Sequence, residues 1–230
     1  MGRKEVGRGK KFLFWVIGCV AALAMIGCAL FSMGFFEIKD IRDVQAQPDA
    51  FGGSYTGQLV NGVMDGYGVI TYKNGDKYSG DFVNGGYSGN GLFQAAAGWS
   101  YEGQFLNGLP QGAGTFTDDK GGVFKGDFDA GKITGNGVFA PKSSGWSYDG
   151  MWDQGRQNGQ GTFTYKDGSV YIGEFEGGAA SGAGKYTDAD GWSYEGGFSQ
   201  GLFDGTGTLT YADGESVTGV WAAGVLKENL

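Results

Sequence analysis

One short pattern recurs from Tyr55 to the C-terminal end of the chain, and its spacing restricts the fold more than any other feature. Each copy contains an aromatic-x-Gly triplet, a glycine five residues further on, a Gly-x-Gly triplet and a last glycine near its end. Consecutive copies start 23 residues apart, except for one step of 24 residues. A fixed period in this range is typical of repeat arrays, in which small units stack on their neighbours. The seven full copies start at Tyr55, Tyr78, Tyr101, Phe124, Tyr148, Tyr171 and Tyr194, and Val217 opens a partial eighth.

The third copy shows the local structure that the pattern predicts. Tyr101 and Phe105 alternate with polar residues, which is the period of a strand with one buried face. Asn107-Gly108 follows, and this dipeptide between two such runs predicts a hairpin turn. We therefore predict an all-β repeat array: an elongated, twisted, single-layer antiparallel sheet of successive β-hairpins, with roughly 15 strands about 4.8 Å apart. A second turn, which links one hairpin to the next, is marked by Lys73-Asn74-Gly75, Lys166-Asp167-Gly168 and Ala212-Asp213-Gly214.

The glycines of the pattern need a physical reason, because glycine normally weakens a strand. Gly103 lies between Tyr101 and Phe105, and Gly112 and Gly114 share the parity of the aromatic residue that follows them. A turn of suitable length puts the aromatic residues of the first strand and the glycines of the second strand on one face of the sheet. We expect rings from one strand to lie flat over glycines of the neighbouring strand, an arrangement called aromatic rescue.

These residues resemble the MORN (membrane occupation and recognition nexus) family, whose unit looks like Tyr-x-Gly-x-Phe/Trp-x-x-Gly-x-x-x-Gly-x-Gly. Tyr148-Asp149-Gly150-Met151-Trp152, Gly155 and Gly159-Gln160-Gly161 fit this unit, and the resemblance covers residues 55–225. It implies a β-hairpin array that serves as a scaffold or a membrane-proximal binding surface, and it does not imply an enzyme. The copies depart from the unit where Phe124 and Val217 replace the leading tyrosine and Leu59 replaces the second aromatic residue.

An uncharged apolar segment precedes the array. Residues 12–36 would form a helix of about 37 Å, which is long enough to cross a hydrocarbon core of about 30 Å. Five lysines and arginines lie within residues 1–11, whereas residues 37–43 carry mixed charges. By the positive-inside rule we predict a cytoplasmic N-terminus (1–11), a transmembrane signal anchor (12–36), a juxtamembrane linker (37–53) and an extracytoplasmic array (54–230).

Two other fates of the apolar segment stay open. A cleaved signal peptide has an apolar core of about 7–15 residues, which is shorter than this segment. A bacterial lipoprotein is the other alternative, because the residues before Cys19 and Cys28 resemble a lipobox, although apolar sequence continues after both cysteines. The array itself contains no cysteine, so it gains nothing from disulfides and the redox compartment stays undecided.

The charge of the array restricts its ligands. Residues 51–230 contain ten lysines and arginines and twenty aspartates and glutamates, which gives a net charge of −10. Nucleic-acid binding requires basic surfaces that displace counterions from phosphates, so we exclude it. Acidic phospholipid headgroups would also be repelled by the array as a whole.

Signals of catalysis and of metal binding are weak. The chain has no histidine, which removes histidine-based catalysis and the commonest metal ligand. Glu102, Asp149 and Glu195 recur at one position of the repeat, and we interpret them as a solvated polar face rather than as hydrolase carboxylates. Asp118-Asp119 and Asp188-Ala189-Asp190-Gly191 hint at calcium, but without a distal bidentate glutamate we interpret them as turn residues. We therefore predict no catalytic residue, no metal and no cofactor.

A further pattern recurs in every second copy. The sequence Gly-Trp-Ser-Tyr precedes an acidic residue and glycine in copies three, five and seven, so the full unit is a double repeat of about 46 residues. Two interpretations stand side by side: each tryptophan packs over a glycine of the neighbouring hairpin, or the rings form an exposed ladder for an extended ligand. The candidate ligand or partner surface comprises Trp99, Tyr101, Trp146, Tyr148, Trp192 and Tyr194.

Two functions follow from these observations. The first is a membrane-anchored, non-catalytic scaffold whose array docks a protein partner in a membrane or envelope assembly. The alternative is a glycan-binding accessory module for envelope polysaccharide synthesis or export, which would use the Trp/Tyr ladder. Because the edge of a sheet can pair with its copy in another molecule, a homodimer through the sheet edges is a further expectation.

Overall fold

The computed structural model describes residues 53–230, which form a single antiparallel sheet of 16 strands in hairpin order. No residue between 53 and 230 is helical. The predicted all-β array of successive hairpins is thus confirmed, and the strand count exceeds the prediction because the partial eighth copy completes a hairpin. The strands are β1 (Ser54–Val60), β2 (Val63–Thr71), β3 (Lys77–Val83), β4 (Gly86–Gln94), β5 (Ser100–Leu106), β6 (Leu109–Thr117), β7 (Val123–Asp129), β8 (Lys132–Ala140), β9 (Ser147–Asp153), β10 (Arg156–Thr164), β11 (Val170–Glu176), β12 (Ala179–Thr187), β13 (Ser193–Ser199), β14 (Leu202–Thr210), β15 (Ser216–Ala222) and β16 (Val225–Asn229).

The predicted transmembrane segment, residues 12–36, lies outside the described residues, as do residues 1–11 and nearly all of the predicted linker. In the part of the chain that the structure describes, no helix has the length and apolar character needed to cross a membrane. The membrane anchor therefore stays a prediction.

The described chain divides into two compact units. One contains residues 53–157 together with Gly161–Lys166, and it carries β1 to β9 and most of β10. The other contains Asn158–Gln160 and Asp167–Leu230, and it carries β11 to β16. The same local packing occurs within each unit.

Each hairpin closes with a two-residue turn in which both residues have positive φ. Asn107 has φ 52° and Gly108 has φ 82°, the conformation of a type I′ turn, and Asn61-Gly62 and Asn84-Gly85 repeat it. The right-handed twist of the flanking strands selects this turn, and asparagine and glycine tolerate it best. Other copies place less suitable residues at the first turn position, also with positive φ: Ala130, Gln154, Gln200 and Ala223.

This difference between the turns gives a prediction about stability. Replacing Ala130 with asparagine is expected to raise the free energy of unfolding by about 0.5–1 kcal/mol, because alanine at φ 46° carries a Cβ penalty that asparagine offsets with local hydrogen bonds. The reverse change at the matched position, Asn107→Ala, should lower it by a similar amount. Urea midpoints of both variants test this, and equal midpoints would mean that the turns do not limit stability.

The longer turns between hairpins are held by aspartate side chains. The Asp118 carboxylate accepts hydrogen bonds from the backbone N–H groups of Lys120 at 2.9 Å and Gly122 at 2.7 Å. Asp188 accepts one from Asp190 at 2.9 Å. The interpretation of these aspartates as turn residues is confirmed. The single 24-residue step also has a simple cause, because its extra residue lies in the turn between Ala140 and Ser147 and leaves the strands unchanged.

The two glycines of each Gly-x-Gly triplet have different roles. The first lies in a bulge, because Gly103 pairs with Gly114 whereas Phe105 pairs with Pro110. Gly112, which lies between Pro110 and Gly114, has φ 64°. The second lies beneath a ring, since a Cβ added to Gly114 would stand 2.4 Å from Tyr101 Oη and 2.5 Å from Cε2 of the same ring. The expected aromatic rescue is confirmed.

The core of each unit is a layer of aromatic rings on one face of the sheet. Tyr78 shows the pattern: it meets Phe82 of its own copy and Phe105 of the next copy edge-to-face, both at 5.1 Å, and it stacks on Tyr87 at 3.7 Å. Ring pairs of this kind contribute about 0.5–1.5 kcal/mol each beyond area burial. The ring of Tyr78 is thus enclosed by rings of its own copy and of the next copy.

Candidate functional site

Three of the predicted surface residues lie inside the ring layer. Tyr101, Tyr148 and Tyr194 are each 0% exposed. Their hydroxyl groups donate to the backbone carbonyls of Gln104 at 3.0 Å, Met151 at 2.9 Å and Gly197 at 3.2 Å, respectively. The prediction that these tyrosines form part of an exposed surface is therefore corrected: each is the ring that seals its own copy, and no ligand reaches it while the layer is closed.

Burial also changes the acidity of these phenols. It raises the pKa of Tyr101 and of Tyr148 well above the ordinary value, and it raises the pKa of Tyr194 to about 12. Tyr72, whose hydroxyl shares a hydrogen bond of 2.5 Å with that of Tyr87, also has a pKa raised to about 12 by burial. These groups stay neutral at physiological pH, so they act as apolar rings with one hydrogen-bonding end.

The three predicted tryptophans lie in the turns before β5, β9 and β13 and are half-buried. Trp99 stacks on Phe93 at 5.1 Å, and Trp146 stacks on Phe163 at 5.1 Å. Trp192 is tilted against Tyr186 at 5.1 Å. Their packing partners are therefore aromatic rings, whereas one of the two interpretations of the sequence placed them over glycines. Each ring keeps some exposed surface, and an aromatic ligand ladder built on these tryptophans alone stays a prediction.

An exposed apolar strip, which the sequence reasoning missed, runs along the ends of the first three hairpins. It consists of Val60, Val63, Val83 and Leu106, which flank the two-residue turns on the face opposite the rings. Their partners across the second and third turns are Gly86, which has no side chain, and the half-buried Leu109. Val60, Val83 and Leu106 are each 54% exposed. The three hairpin ends are joined through the backbone, because the N–H of Gly85 donates to the carbonyl of Met64 at 2.8 Å and the N–H of Gly108 donates to the carbonyl of Tyr87 at 3.0 Å.

The strip is restricted to these hairpins and has acidic surroundings. At the same positions the fourth hairpin carries Asp129 and Lys132, which would interrupt an apolar contact. Asp65 and Asp81 lie on the same face as the strip, and the chain has no lysine or arginine between residues 78 and 119. Contiguous exposed apolar surface with a polar border is typical of protein-binding sites. A comparison of turn-flanking residues between copies would have found this strip in the sequence.

The acidic residues that recur at one position of the repeat lie in solvent. Glu102, Asp149 and Glu195 are exposed, and Glu195 forms a solvated ion pair of 3.3 Å with Lys185. Residues 53–230 contain no group of three or more acidic or cysteine side chains placed to hold a metal ion. These three carboxylates are therefore solvated, as the sequence predicted.

The solved structures that are similar to part of the chain include two domains of CPAP proteins. The TCP domain of SAS-4 (dCPAP) of Drosophila melanogaster, solved with a proline-rich motif of Ana2 (dSTIL), has 12% sequence identity and a TM-score of 0.45, over 74% of this chain and 90% of that chain. The wild-type TCP10 domain of Danio rerio CPAP has 11% identity and a TM-score of 0.25, over 72% of this chain and 89% of that chain. No curated protein matches the chain.

The family comparison agrees with the hairpins that the structure shows. The model described as MORN repeat matches residues 55–77, 78–100, 101–123, 124–140, 148–170, 171–193 and 194–216. Each match begins at the leading aromatic residue of a copy, and the gap between 140 and 148 contains the longer turn. The chain therefore belongs to the MORN repeat family.

Proposed function

We propose that this protein is a non-catalytic scaffold, anchored in a membrane through residues 12–36, whose extracytoplasmic array docks a protein partner in a membrane or envelope assembly. Membership of the MORN repeat family favours a protein-binding repeat scaffold. The observation that carries the proposal is the exposed apolar strip of Val60, Val63, Val83 and Leu106 at the ends of three neighbouring hairpins.

The chemistry of the strip defines its partner. Four apolar side chains exposed in a row favour a segment that presents apolar residues of its own. The carboxylates of Asp65 and Asp81 favour lysine or arginine beside those residues, because complementary charge steers binding and fixes the register. The proposed partner is therefore a protein segment with an apolar centre and basic flanks.

The test is cross-linked co-purification of the full-length protein, extracted in detergent from its own membranes, with mass spectrometry and a glycan assay on the same eluate. The wild type is compared with the double variant Val83→Asp/Leu106→Asp. Ile172→Asp is the matched control, because Ile172 is 56% exposed on a strand outside the strip. One dominant membrane protein should be retained by the wild type and by the control, and lost from the double variant. Its cross-linked peptide should be apolar with lysine or arginine on both sides.

Two results would contradict the proposal. Retention of the same partner by the double variant would show that the strip does not dock it. A polysaccharide without a protein partner, lost in a Trp99→Ala/Trp146→Ala/Trp192→Ala variant, would favour the glycan-binding module.

A further inference from the structure

The two terminal strands of the sheet differ in how they are protected against pairing with another chain. β16 has only five residues, and it carries Lys227 and Glu228. Charged residues and short length are the usual means by which an edge strand avoids association. β1 has seven residues and no charge, and the uncharged stretch extends from residue 50 to residue 64. In the described part of the chain, only β2 pairs with β1, and no described residue covers its other edge.

The ring layer is also incomplete at β1. In later copies the second aromatic residue of a strand packs against the leading ring of its own copy and of the copy before: Phe82 meets Tyr78 at 5.1 Å and Tyr55 at 5.4 Å. Leu59 holds this position in β1, and it is 57% exposed because no copy precedes it in the repeat pattern. An apolar side chain on an open strand edge is a feature that association would bury.

The chain that leads into β1 does not match the interior strands. In each interior copy an apolar residue pairs with the leading residue of the next copy, as Ile70 does with Tyr78 and Phe93 does with Tyr101. These residues precede the leading position by eight, and the same spacing before Tyr55 gives Gln47. The sequence before Tyr55 therefore lacks the apolar residue that an added strand of this array would supply.

We propose that β1 pairs antiparallel with β1 of a second copy of this chain, about a two-fold axis at Gly57, so that the sheet continues from one molecule into the other. This register puts Leu59 of the second copy opposite Tyr55, which is the apolar neighbour that Tyr55 lacks. Gly57 lies opposite its own counterpart, as Gly68 lies opposite Gly80 between the first two hairpins. The polar pair Thr56 and Gln58 lies on the other face, and the absence of charge lets two acidic molecules approach. The inference goes beyond the proposed function, because it gives the scaffold two copies of the apolar strip.

The test measures the mass of the full-length protein in detergent by sedimentation velocity. Thr56 and Gln58 are both exposed, so their substitution leaves the ring layer unchanged. The wild type should be a dimer. Thr56→Lys/Gln58→Lys and Thr56→Glu/Gln58→Glu should each be monomers, because each puts like charges directly opposite one another. An equimolar mixture of these two variants should recover the dimer, since opposite charges then face each other.

Several results would overturn the inference. A monomeric wild type would show that β1 is covered by its own chain or by nothing. A dimer that persists in both charged variants would show that another surface, such as residues 12–36, holds the copies together. Circular dichroism of each variant confirms that the hairpins remain folded. The Val83→Asp/Leu106→Asp variant should stay dimeric, so failure of this inference and failure of the proposed docking site can be told apart.

Discussion

Replacement of Gly114 with alanine is expected to lower the free energy of unfolding by about 3 kcal/mol, which is at the upper end for a single added methyl group. A Cβ at this position would stand between 2.4 and 2.6 Å from three atoms of the Tyr101 side chain. Tyr101 is 0% exposed and meets Phe105 and Phe128 edge-to-face at 5.1 and 4.8 Å, so its ring has no free volume into which to move. The measurement is the urea midpoint of unfolding, monitored by tyrosine and tryptophan fluorescence.

Two other glycines of the same unit provide matched controls. Gly86→Ala adds the same methyl group where the nearest atom is the Val83 carbonyl oxygen at 3.6 Å, an ordinary contact, so its effect should lie within about 0.5 kcal/mol of zero. Gly112→Ala should be intermediate, at about 1–2 kcal/mol, because its φ of 64° is unfavourable for alanine and Gln104 Oε1 lies at 2.9 Å from the added Cβ. A Gly114→Ala variant as stable as Gly86→Ala would mean that the ring does not lie over the glycine.

A double variant isolates the contact between ring and glycine. Tyr101→Ala alone should be strongly destabilising because it removes a buried ring. When Gly114→Ala is added to it, the further loss should be close to zero, since the atoms that the methyl group would strike are gone. If the losses in free energy of unfolding are additive, the effect of Gly114→Ala comes from the backbone and not from a clash with the ring.

The hairpins, their turns and the role of the glycines followed from the sequence because each depends on local geometry that recurs in every copy. Asn107-Gly108 specifies a type I′ turn through the φ values that these two residues accept. Gly114 lies on the strand next to Tyr101 and specifies where that ring packs, because only glycine leaves room for the ring. Seven repetitions of the same spacing made these local signals unambiguous.

The candidate site was harder to predict, because alternation shows which residues share a face but does not show how much of that face is covered. Tyr101 was assigned to a surface, yet Phe128 of the next copy closes over it. The strip was missed for the opposite reason: Val83 and Leu106 occupy positions that vary between copies, and a search for shared features passes over them. In this array the residues shared by all copies determine the fold, whereas the apolar strip is formed by residues that differ between copies.

Raising the pH above about 10 is expected to unfold the ring layer cooperatively. Burial raises the pKa of Tyr194 and of Tyr72 to about 12, and it shifts the pKa of Tyr78, Tyr101 and Tyr148 upward from an ordinary value of about 10. Between these values the unfolded chain loses phenolic protons that the folded chain retains, so ionisation favours the unfolded state and stability falls as the pH rises. The stability that the protonated buried phenols contribute is fully present below about pH 10, and it is lost as the pH rises through about 12. Absorbance of phenolate at 295 nm should therefore rise together with the loss of the β-sheet circular dichroism signal.

Phe124 offers a natural control for this experiment. It holds the leading position of the fourth copy, and a Cβ added to Gly137 would stand 2.3 Å from its ring, so a ring without a hydroxyl group fits the same seat. The variant Tyr101→Phe/Tyr148→Phe/Tyr194→Phe should lose about 1 kcal/mol of stability per hydroxyl at pH 7, through the missing bonds to backbone carbonyls. Its stability should fall less steeply between pH 10 and pH 12, because three of the groups that ionise are absent. Gradual phenol titration near pH 10 with an unchanged circular dichroism signal would contradict the burial of these tyrosines, and an unchanged slope in the variant would assign the alkaline transition to other groups.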